Sequence, residues 1–389
     1  DVGTETDGNG LGAFKYSVPS GYLSLCSANL DDDDFASIGP SKDAKSDNFF
    51  NIVTYTGDGN NGRTVTGVNH QPDWLWIKRR DGSNSHVLMD SSRGSGSNDS
   101  LLALLSNVND NEYNLNDHVR SLDADGFTLD DDTDNTVATN NSGETYVAWS
   151  WKVNGGTTAT NSDGSADSTV QVNQNAGISI VLYTGNATGA GAEQTIGHGL
   201  GVIPRMIIFK GRSFANYQDW YIHHKGLANG VTTHIELNVT DAEHADADYM
   251  NEVAPTASVF SLGYNFTTNK SGETYVAYCF NNVEGYSKFG SYTGNGATSG
   301  TAGPFVYLGF RPAWVMLKRR DSTGSWWIVD STRDPFNEAL RQLQANEPDQ
   351  ETAYSGNMLD FYANGFAPRT SGTQVNASNG VYIYMAFAE

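Results

Sequence analysis

Residues 312–321 read PAWVMLKRRD, and this stretch decides the fold because the chain carries it in three versions. Residues 72–81 read PDWLWIKRRD, and residues 204–210 read PRMIIFK, a shorter form of the same pattern. A run of aromatic and branched apolar residues bounded by turn residues is typical of a β-strand. We therefore predict three repeated β units, called repeats 1, 2 and 3 below.

Two further blocks recur in the same order. A Tyr-Thr-Gly turn opens the repeats at Tyr55, Tyr183 and Tyr292. An alternating strand closes them, reading SGETYVAW at 142–149 and SGETYVAY at 271–278. Several short strands joined by glycine-rich turns indicate a sandwich or a jelly roll.

The predicted fold class is all-β, with three tandem β-sandwich or jelly-roll-like repeats and short helical insertions at 100–105 and 335–344. The predicted segments are a tail of an upstream domain at 1–46, repeat 1 at 47–153, a linker at 154–175, repeat 2 at 176–284 and repeat 3 at 285–389. The linker is inferred from its richness in Gly, Ser, Thr, Asn and Asp.

Charge and composition exclude several classes of protein. The 389 residues include 23 Lys+Arg and 45 Asp+Glu, which gives a net charge of −22. An acidic surface repels a phosphate backbone, so no nucleic-acid partner is expected. No apolar run of about 18 residues is present, so no membrane insertion is expected. Cys26 and Cys279 are too few for a disulfide scaffold. The acidic residues concentrate in turns, as at 31–34 and 130–132, which indicates solvent-facing loops.

Charged residues at the strand ends form the first candidate cluster. One interpretation is a ligand site. The other is a cross-strand network of Lys, Arg and Asp that fixes the register of the hairpin. We favour the structural network, because the same residues recur at the same spacing in repeats 1 and 3. Its predicted members are Lys78, Arg80, Asp90, Arg93, Lys318, Arg320, Asp330 and Arg333.

Trp326 is the tryptophan that we expect to be exposed. Our alignment of the repeats places it at the same position as His86 and Asp219, and a position that accepts His and Asp is expected to face solvent. An exposed indole can stack on a sugar or fill a pocket of a partner. We therefore predict a glycan or partner contact at Trp326, with the rim of a subunit contact as the alternative.

No catalytic residue, cofactor or metal site is predicted. The chain lacks the G-x-S-x-G, G-x-x-x-x-G-K-[ST] and H-E-x-x-H motifs, and no pair of carboxylates is singled out by its spacing. The acidic turns at 123–126 and 130–132 have the oxygen ligands that Ca²⁺ prefers, but lack the closing glutamate of an EF-hand. Calcium therefore stays an open alternative for repeat 1. Repeat 2 also gathers four histidines without the spacing of a metal site, namely His223, His224, His234 and His244.

Several blocks resemble repeated domains of tail-fibre-like structural proteins of marine phages, including phages of cyanobacteria. They are YTGNG at 292–296, FRPAWVMLKR at 310–319, DSTR at 330–333 and YIYMAFAE at 382–389. In such proteins the repeats often follow a lectin-like domain of the SPRY or concanavalin type, whose end resembles residues 12–23 here. The resemblance implies a non-enzymatic, extracellular protein of the virion, in a tail fibre or surface decoration and in host attachment.

The resemblance also implies partners. These are other virion proteins, a host-surface glycan and further copies of the chain itself, with a trimer as the expected state of a fibre. Two other functions stay open. One is a secreted bacterial adhesin or glycan-binding module, and the other is a polysaccharide depolymerase.

Overall fold

The structure is a computed structural model, and it describes residues 3–8, 14–20, 45–96, 100–132, 137–213, 219–298, 303–353, 356 and 359–389. Cys26, the acidic run 31–34 and part of the lectin-like stretch 12–23 lie outside these residues. The described part of the chain forms 27 strands and one four-residue α-helix, so the fold is all-β as predicted. Within that part, no helix is long and apolar enough to cross a membrane.

Each repeat folds into an antiparallel inner sheet whose five main strands have the same order. In repeat 1 the order is β1 (Phe50–Thr56), β8 (Thr145–Trp151), β3 (Trp74–Arg79), β4 (Val87–Asp90) and β5 (Ala103–Leu105). In repeat 2 it is β11 (Ile178–Thr184), β18 (Thr274–Phe280), β13 (Met206–Gly211), β14 (Tyr221–His224) and β15 (Thr233–Glu236). In repeat 3 it is β19 (Ser287–Thr293), β27 (Val381–Ala388), β21 (Pro312–Arg319), β22 (Trp326–Asp330) and β23 (Arg341–Gln344).

Short strands extend two of the inner sheets. In repeat 2 they are β9 (Ala159–Asn161) and β10 (Ser168–Asn173) at one edge and β16 (His244–Ala245) at the other, and in repeat 3 the added strand is β24 (Thr352–Ala353). Helical segments in the described part of the chain include α1 (Phe266–Asn269) and the 3₁₀ turns Ser46–Asn48 and Gly230–Thr232.

A small outer sheet covers each inner sheet on the side away from the other repeats. The outer strands are β2 (Arg63–Thr66), β6 (Val119–Asp123) and β7 (Gly126–Leu129) in repeat 1, β12 (Gln194–Gly197) and β17 (Val259–Leu262) in repeat 2, and β20 (Val306–Tyr307), β25 (Leu359–Tyr362) and β26 (Gly365–Pro368) in repeat 3. Each repeat is therefore a two-layer sandwich with its own core.

The inner sheets are buried on both faces, which their sequences explain. Successive side chains of a strand point to opposite faces. In β3, Leu75 and Ile77 enter the core of repeat 1, while Trp74 and Trp76 enter a second core that all three repeats share. The strand is apolar on both faces because both faces pack against protein.

This shared core, called the common core below, joins the repeats into one body. Its ring contacts link every pair of repeats, with centroid distances of 4.8 Å for Trp74–Tyr278, 5.7 Å for Trp151–Trp314 and 6.4 Å for Phe280–Phe387. The three repeats thus follow one another in sequence, and in the structure they form a closed ring in which each repeat contacts the other two. Their three inner sheets surround a pseudo-threefold axis, an arrangement that the sequence did not predict.

Two predictions about local structure are wrong. Residues 154–175 are not a linker, because they form β9 and β10, and β10 pairs with β11 of repeat 2. The segments 100–105 and 335–344 contain no helix. Each ends in the fifth strand of its inner sheet, where Leu104 and Leu343 enter the common core. Sheet pairing and burial override the local helical preference of these leucines.

Candidate functional site

Trp326 is not exposed, which corrects the prediction of a contact there. Only 1% of its surface is accessible, and it lies in the common core. The strand register makes it equivalent to His86 and Trp220, both fully buried, so the sequence alignment was wrong by one residue in repeat 2. The indole Nε1 of Trp326 donates to the backbone oxygen of Glu236 in repeat 2 at 2.8 Å. Trp326 therefore holds two repeats together.

Within the predicted charge network, Asp90 pairs with Arg93 and Asp330 pairs with Arg333, instead of with the Lys and Arg residues of the neighbouring strand. Both ion pairs are fully buried. Each aspartate also accepts a hydrogen bond from the neighbouring repeat. Trp149 Nε1 donates to Asp330 at 3.0 Å, and the Tyr278 hydroxyl donates to Asp90 at 2.7 Å. The aspartates thus join repeats as well as strands.

Arg80 and Arg320 do not pair with these aspartates, so that part of the predicted network is wrong. Arg80 forms an ion pair with Glu351 of repeat 3 at 2.9 Å, and Arg320 pairs with Glu243 of repeat 2. The equivalent Arg212 of repeat 2 binds Glu112 of repeat 1 at 2.8 Å. These three ion pairs form a ring that joins repeat 1 to repeat 3, repeat 3 to repeat 2, and repeat 2 to repeat 1.

Sequence reasoning missed the three glutamates, although a signal was present. Glu112, Glu243 and Glu351 each follow the fifth strand of their inner sheet at the same distance from its last residue. Their backbone N–H groups also donate to the carbonyl oxygens of the arginines that their side chains bind. This recurrence was visible only once the fifth strands were known.

Lys78 and Lys318 are likewise not bound to the aspartates. Together with the equivalent Lys210 they are fully buried on the face of the inner sheets that meets the common core. Lys78 Nζ donates to Arg79 O at 2.6 Å, and Lys318 Nζ donates to Thr240 O of repeat 2 at 3.3 Å. Burial lowers the pKa of Lys78 and Lys210 to about 7 and that of Lys318 to about 8.

The acidic turns of repeat 1 accept hydrogen bonds from backbone N–H groups of other loops in the same repeat. Asp125 accepts from the N–H groups of Gly67 and Asn69. Asp132 accepts from the N–H groups of Thr139 and Asn140. Among the described residues, no group of three or more His, Cys, Asp or Glu side chains is placed to hold a metal ion.

A different surface emerges as the candidate functional site. Three aromatic side chains stand on the outer sheet of repeat 3, and we call Phe305, Tyr307 and Tyr362 the aromatic face. Their exposed fractions are 51%, 59% and 38%. Tyr307 and Tyr362 are both paired with Gly365 of the middle strand, so they flank it on one side of the sheet. The rings of Phe305 and Tyr362 meet edge to face, with centroids 5.8 Å apart.

Repeats 1 and 2 lack these rings, although their outer sheets have the same pairing. The inward-facing Val306 corresponds to Val65 and Ile196, because all three pair with a buried phenylalanine. The position of Phe305 is therefore Thr64 in repeat 1 and Thr195 in repeat 2. The position of Tyr307 is Thr66 and Gly197, and that of Tyr362 is Asp123 in repeat 1. The fold does not need aromatic residues at these positions.

A cleft of about 920 Å³ adjoins the aromatic face at Tyr307. Its lining also includes Lys288, Arg311 and Glu389. The Lys288 ammonium lies 4.8 Å from the centre of the Tyr307 ring and donates to the Tyr307 carbonyl oxygen at 2.9 Å. Lys288 thus fixes the orientation of Tyr307 and leaves the ring half exposed.

Comparison with known proteins gives one family. The model of a domain of unknown function, DUF7483, matches residues 45–389 and so spans all three repeats. No curated protein matches the chain.

Proposed function

The chain belongs to the DUF7483 family, and we propose that it is a non-enzymatic structural protein of a phage virion that takes part in host attachment. The observation that carries this proposal is the aromatic face. Large exposed rings at positions where the other two repeats have Thr, Gly or Asp have no role in the fold and are typical of a contact surface. The resemblance of the repeats to tail-fibre-like proteins supports the virion as its place.

The rest of the molecule is suited to holding the aromatic face in a fixed position. The common core and the ring of ion pairs Arg80–Glu351, Arg212–Glu112 and Arg320–Glu243 tie the three repeats to one another, so the aromatic face is held on a rigid body. The net charge of −22 favours solubility through self-repulsion.

The proposed attachment is tested with the full chain carrying a fluorescent label. We expect it to bind host cells, and we expect the double variant Phe305→Thr/Tyr307→Thr to bind at least tenfold more weakly. Both substitutions introduce the residues that repeat 1 has at these positions. Tyr264→Ser, which removes a partly exposed tyrosine of repeat 2, is the matched control and should bind as the wild type does. Equal binding by the double variant and the wild type would contradict the role of this face.

A place in the virion is tested separately. We expect the protein among the components of purified particles, identified by mass spectrometry. Its presence on a bacterial surface and absence from particles would favour the adhesin, which could use the same face. Release of sugar from host polysaccharide by the purified protein would instead favour the depolymerase.

The closed ring of three repeats changes the expectation that the chain forms a trimer. Its three repeats occupy the places that three subunits would take around a threefold axis. We therefore propose that one chain supplies the whole threefold-like body and is a monomer in solution. A mass of 42.0 kDa by light scattering is expected, and a stable mass three times larger would contradict this proposal.

A further inference from the structure

We propose that the aromatic face binds an uncharged polysaccharide, and that the bound chain continues from the rings into the cleft beside Tyr307. The inference rests on the attachment function proposed above and specifies the chemistry of its ligand.

The arrangement of the rings favours an extended ligand. Tyr307 and Tyr362 lie on the two strands that flank β26. Two strand spacings separate their backbones by about 10 Å. The Phe305 ring lies over Gly365, since a Cβ atom added there would come within 2.9 Å of its Cζ atom. The rings therefore form a stepped row with room for more than one sugar unit.

Aromatic rings with polar edges match the chemistry of sugars. A pyranose has an apolar face of C–H groups and a rim of hydroxyls. The rings of Phe305 and Tyr307 can pack against the former. The lining of the adjoining cleft supplies donors and acceptors for the latter, among them the side chains of Ser46, Asp47 and Asn282.

The local charges favour an uncharged ligand. Three cationic groups beside the rings are already engaged, because Lys288 lies over Tyr307 and the two nearby arginines form ion pairs. Those pairs are Arg311 with Glu389 at 2.5 Å and Arg369 with Asp360 at 2.5 Å. The remainder of the molecule is strongly acidic, which disfavours an anionic polymer. A neutral polysaccharide fits this balance better than an acidic one.

The size of the cleft favours a chain over a single sugar. At about 920 Å³ it lies at the upper end of the range of ligand pockets, roughly 300–1,000 Å³. Because it begins at Tyr307, a sugar stacked on that ring would have its neighbour at the mouth of the cleft.

The test is affinity electrophoresis of the purified full chain in gels that contain one polysaccharide each. Dextran, laminarin, mannan and galactan are the neutral probes, and alginate is the acidic probe. We expect retardation by at least one neutral polysaccharide and none by alginate. Retardation by alginate alone, or by no neutral polysaccharide, overturns the proposal.

Variants then locate the site. Phe305→Thr/Tyr307→Thr should weaken the retardation at least tenfold, whereas Tyr264→Ser should leave it unchanged. Unchanged thermal denaturation of both variants confirms that they are folded. An unaltered retardation of the double variant overturns the assignment to the aromatic face.

Oligosaccharides from the bound polysaccharide test the extension into the cleft. Calorimetric affinity should increase from the disaccharide to at least the tetrasaccharide, and equal affinity for the two would overturn it. The outcome is separable from that of the cell-binding experiment. If the double variant no longer binds cells while the wild type binds no polysaccharide, attachment stands, the glycan proposal fails and a protein receptor is indicated.

Discussion

We expect the free energy of unfolding of the wild-type protein to increase as the pH rises above 8. Replacing Lys318 by methionine should remove part of that increase. The amine is buried at the contact between repeats 3 and 2, where it donates to Thr240 O. Burial lowers its pKa from 10.5 to about 8. Methionine has a similar length and apolar stem but no titrating group.

The sign and size of the effect follow from proton linkage. Between pH 8 and 10.5 the amine of the unfolded chain keeps its proton, while the buried amine has lost it. Unfolding then takes up one proton, so the free energy of unfolding rises by about 1.4 kcal/mol per pH unit for this lysine. Below pH 8 both states are protonated, and the slope from this group vanishes. Lys78 and Lys210, with pKa values of about 7, add the same slope from a lower pH onward.

Urea denaturation followed by tryptophan fluorescence at several pH values measures this slope. The series should end near pH 10, because burial raises the pKa values of Tyr55, Tyr183 and Tyr292 above 10. Their ionisation in the unfolded chain lowers stability at higher pH. The slope is compared instead of the absolute stability, since the substitution also removes the hydrogen bonds from Lys318 Nζ to Thr240 O and Arg319 O.

We expect the Lys318→Met slope to be smaller than that of the wild type by about 1.4 kcal/mol per pH unit. Lys270→Met, at a partly exposed lysine, is the matched control and should keep the wild-type slope. Identical slopes for Lys318→Met and the wild type would refute the reasoning, because the buried amine would then hold its proton throughout.

Two further predictions concern the contacts between repeats, and both are measured by urea denaturation at neutral pH. Trp326→Ala should lower the free energy of unfolding by about 3–5 kcal/mol, since it removes a buried indole and its hydrogen bond to Glu236 O. A loss below about 1 kcal/mol would place Trp326 outside the core. Glu351→Gln should destabilise more than Glu243→Gln, because Glu351 pairs with three arginines, one of them the fully buried Arg333, whereas Glu243 pairs with one. Losing one partner of a buried ion pair costs about 3–5 kcal/mol, and equal losses in the two variants would argue against the shared role of Glu351.

The candidate site shows why comparison of the repeats was informative in one place and misleading in another. At Trp326 a shift of one residue in the sequence alignment places a core position opposite Asp219, which explains why the predicted exposure of this indole is wrong. The strand register instead aligns it with the buried Trp220. At Phe305 and Tyr307 the same comparison, made with the correct register, separates a surface specific to repeat 3 from the common fold.

The sequence by itself determined the three repeats, the strands of their recurring blocks and the all-β class. These depend on local properties, namely the alternation of side chains along a strand and the turn residues between strands. The pairs Asp90–Arg93 and Asp330–Arg333 are also local, since their members lie three residues apart, but the sequence pattern predicted partners on the neighbouring strand instead.

Only the tertiary structure decided how the repeats meet. Arg80 binds Glu351, a residue 271 positions away, and no local pattern relates the two. The apolar residues on both faces of β3 required a second packing partner, but any apolar surface could have served, because the hydrophobic effect is not directional. In the folded protein the partner is formed by the inner sheets of the other two repeats, which close around the common core. This closure buried Trp326 and the three lysines, and left the aromatic face of repeat 3 as the exposed surface that distinguishes this repeat from the other two.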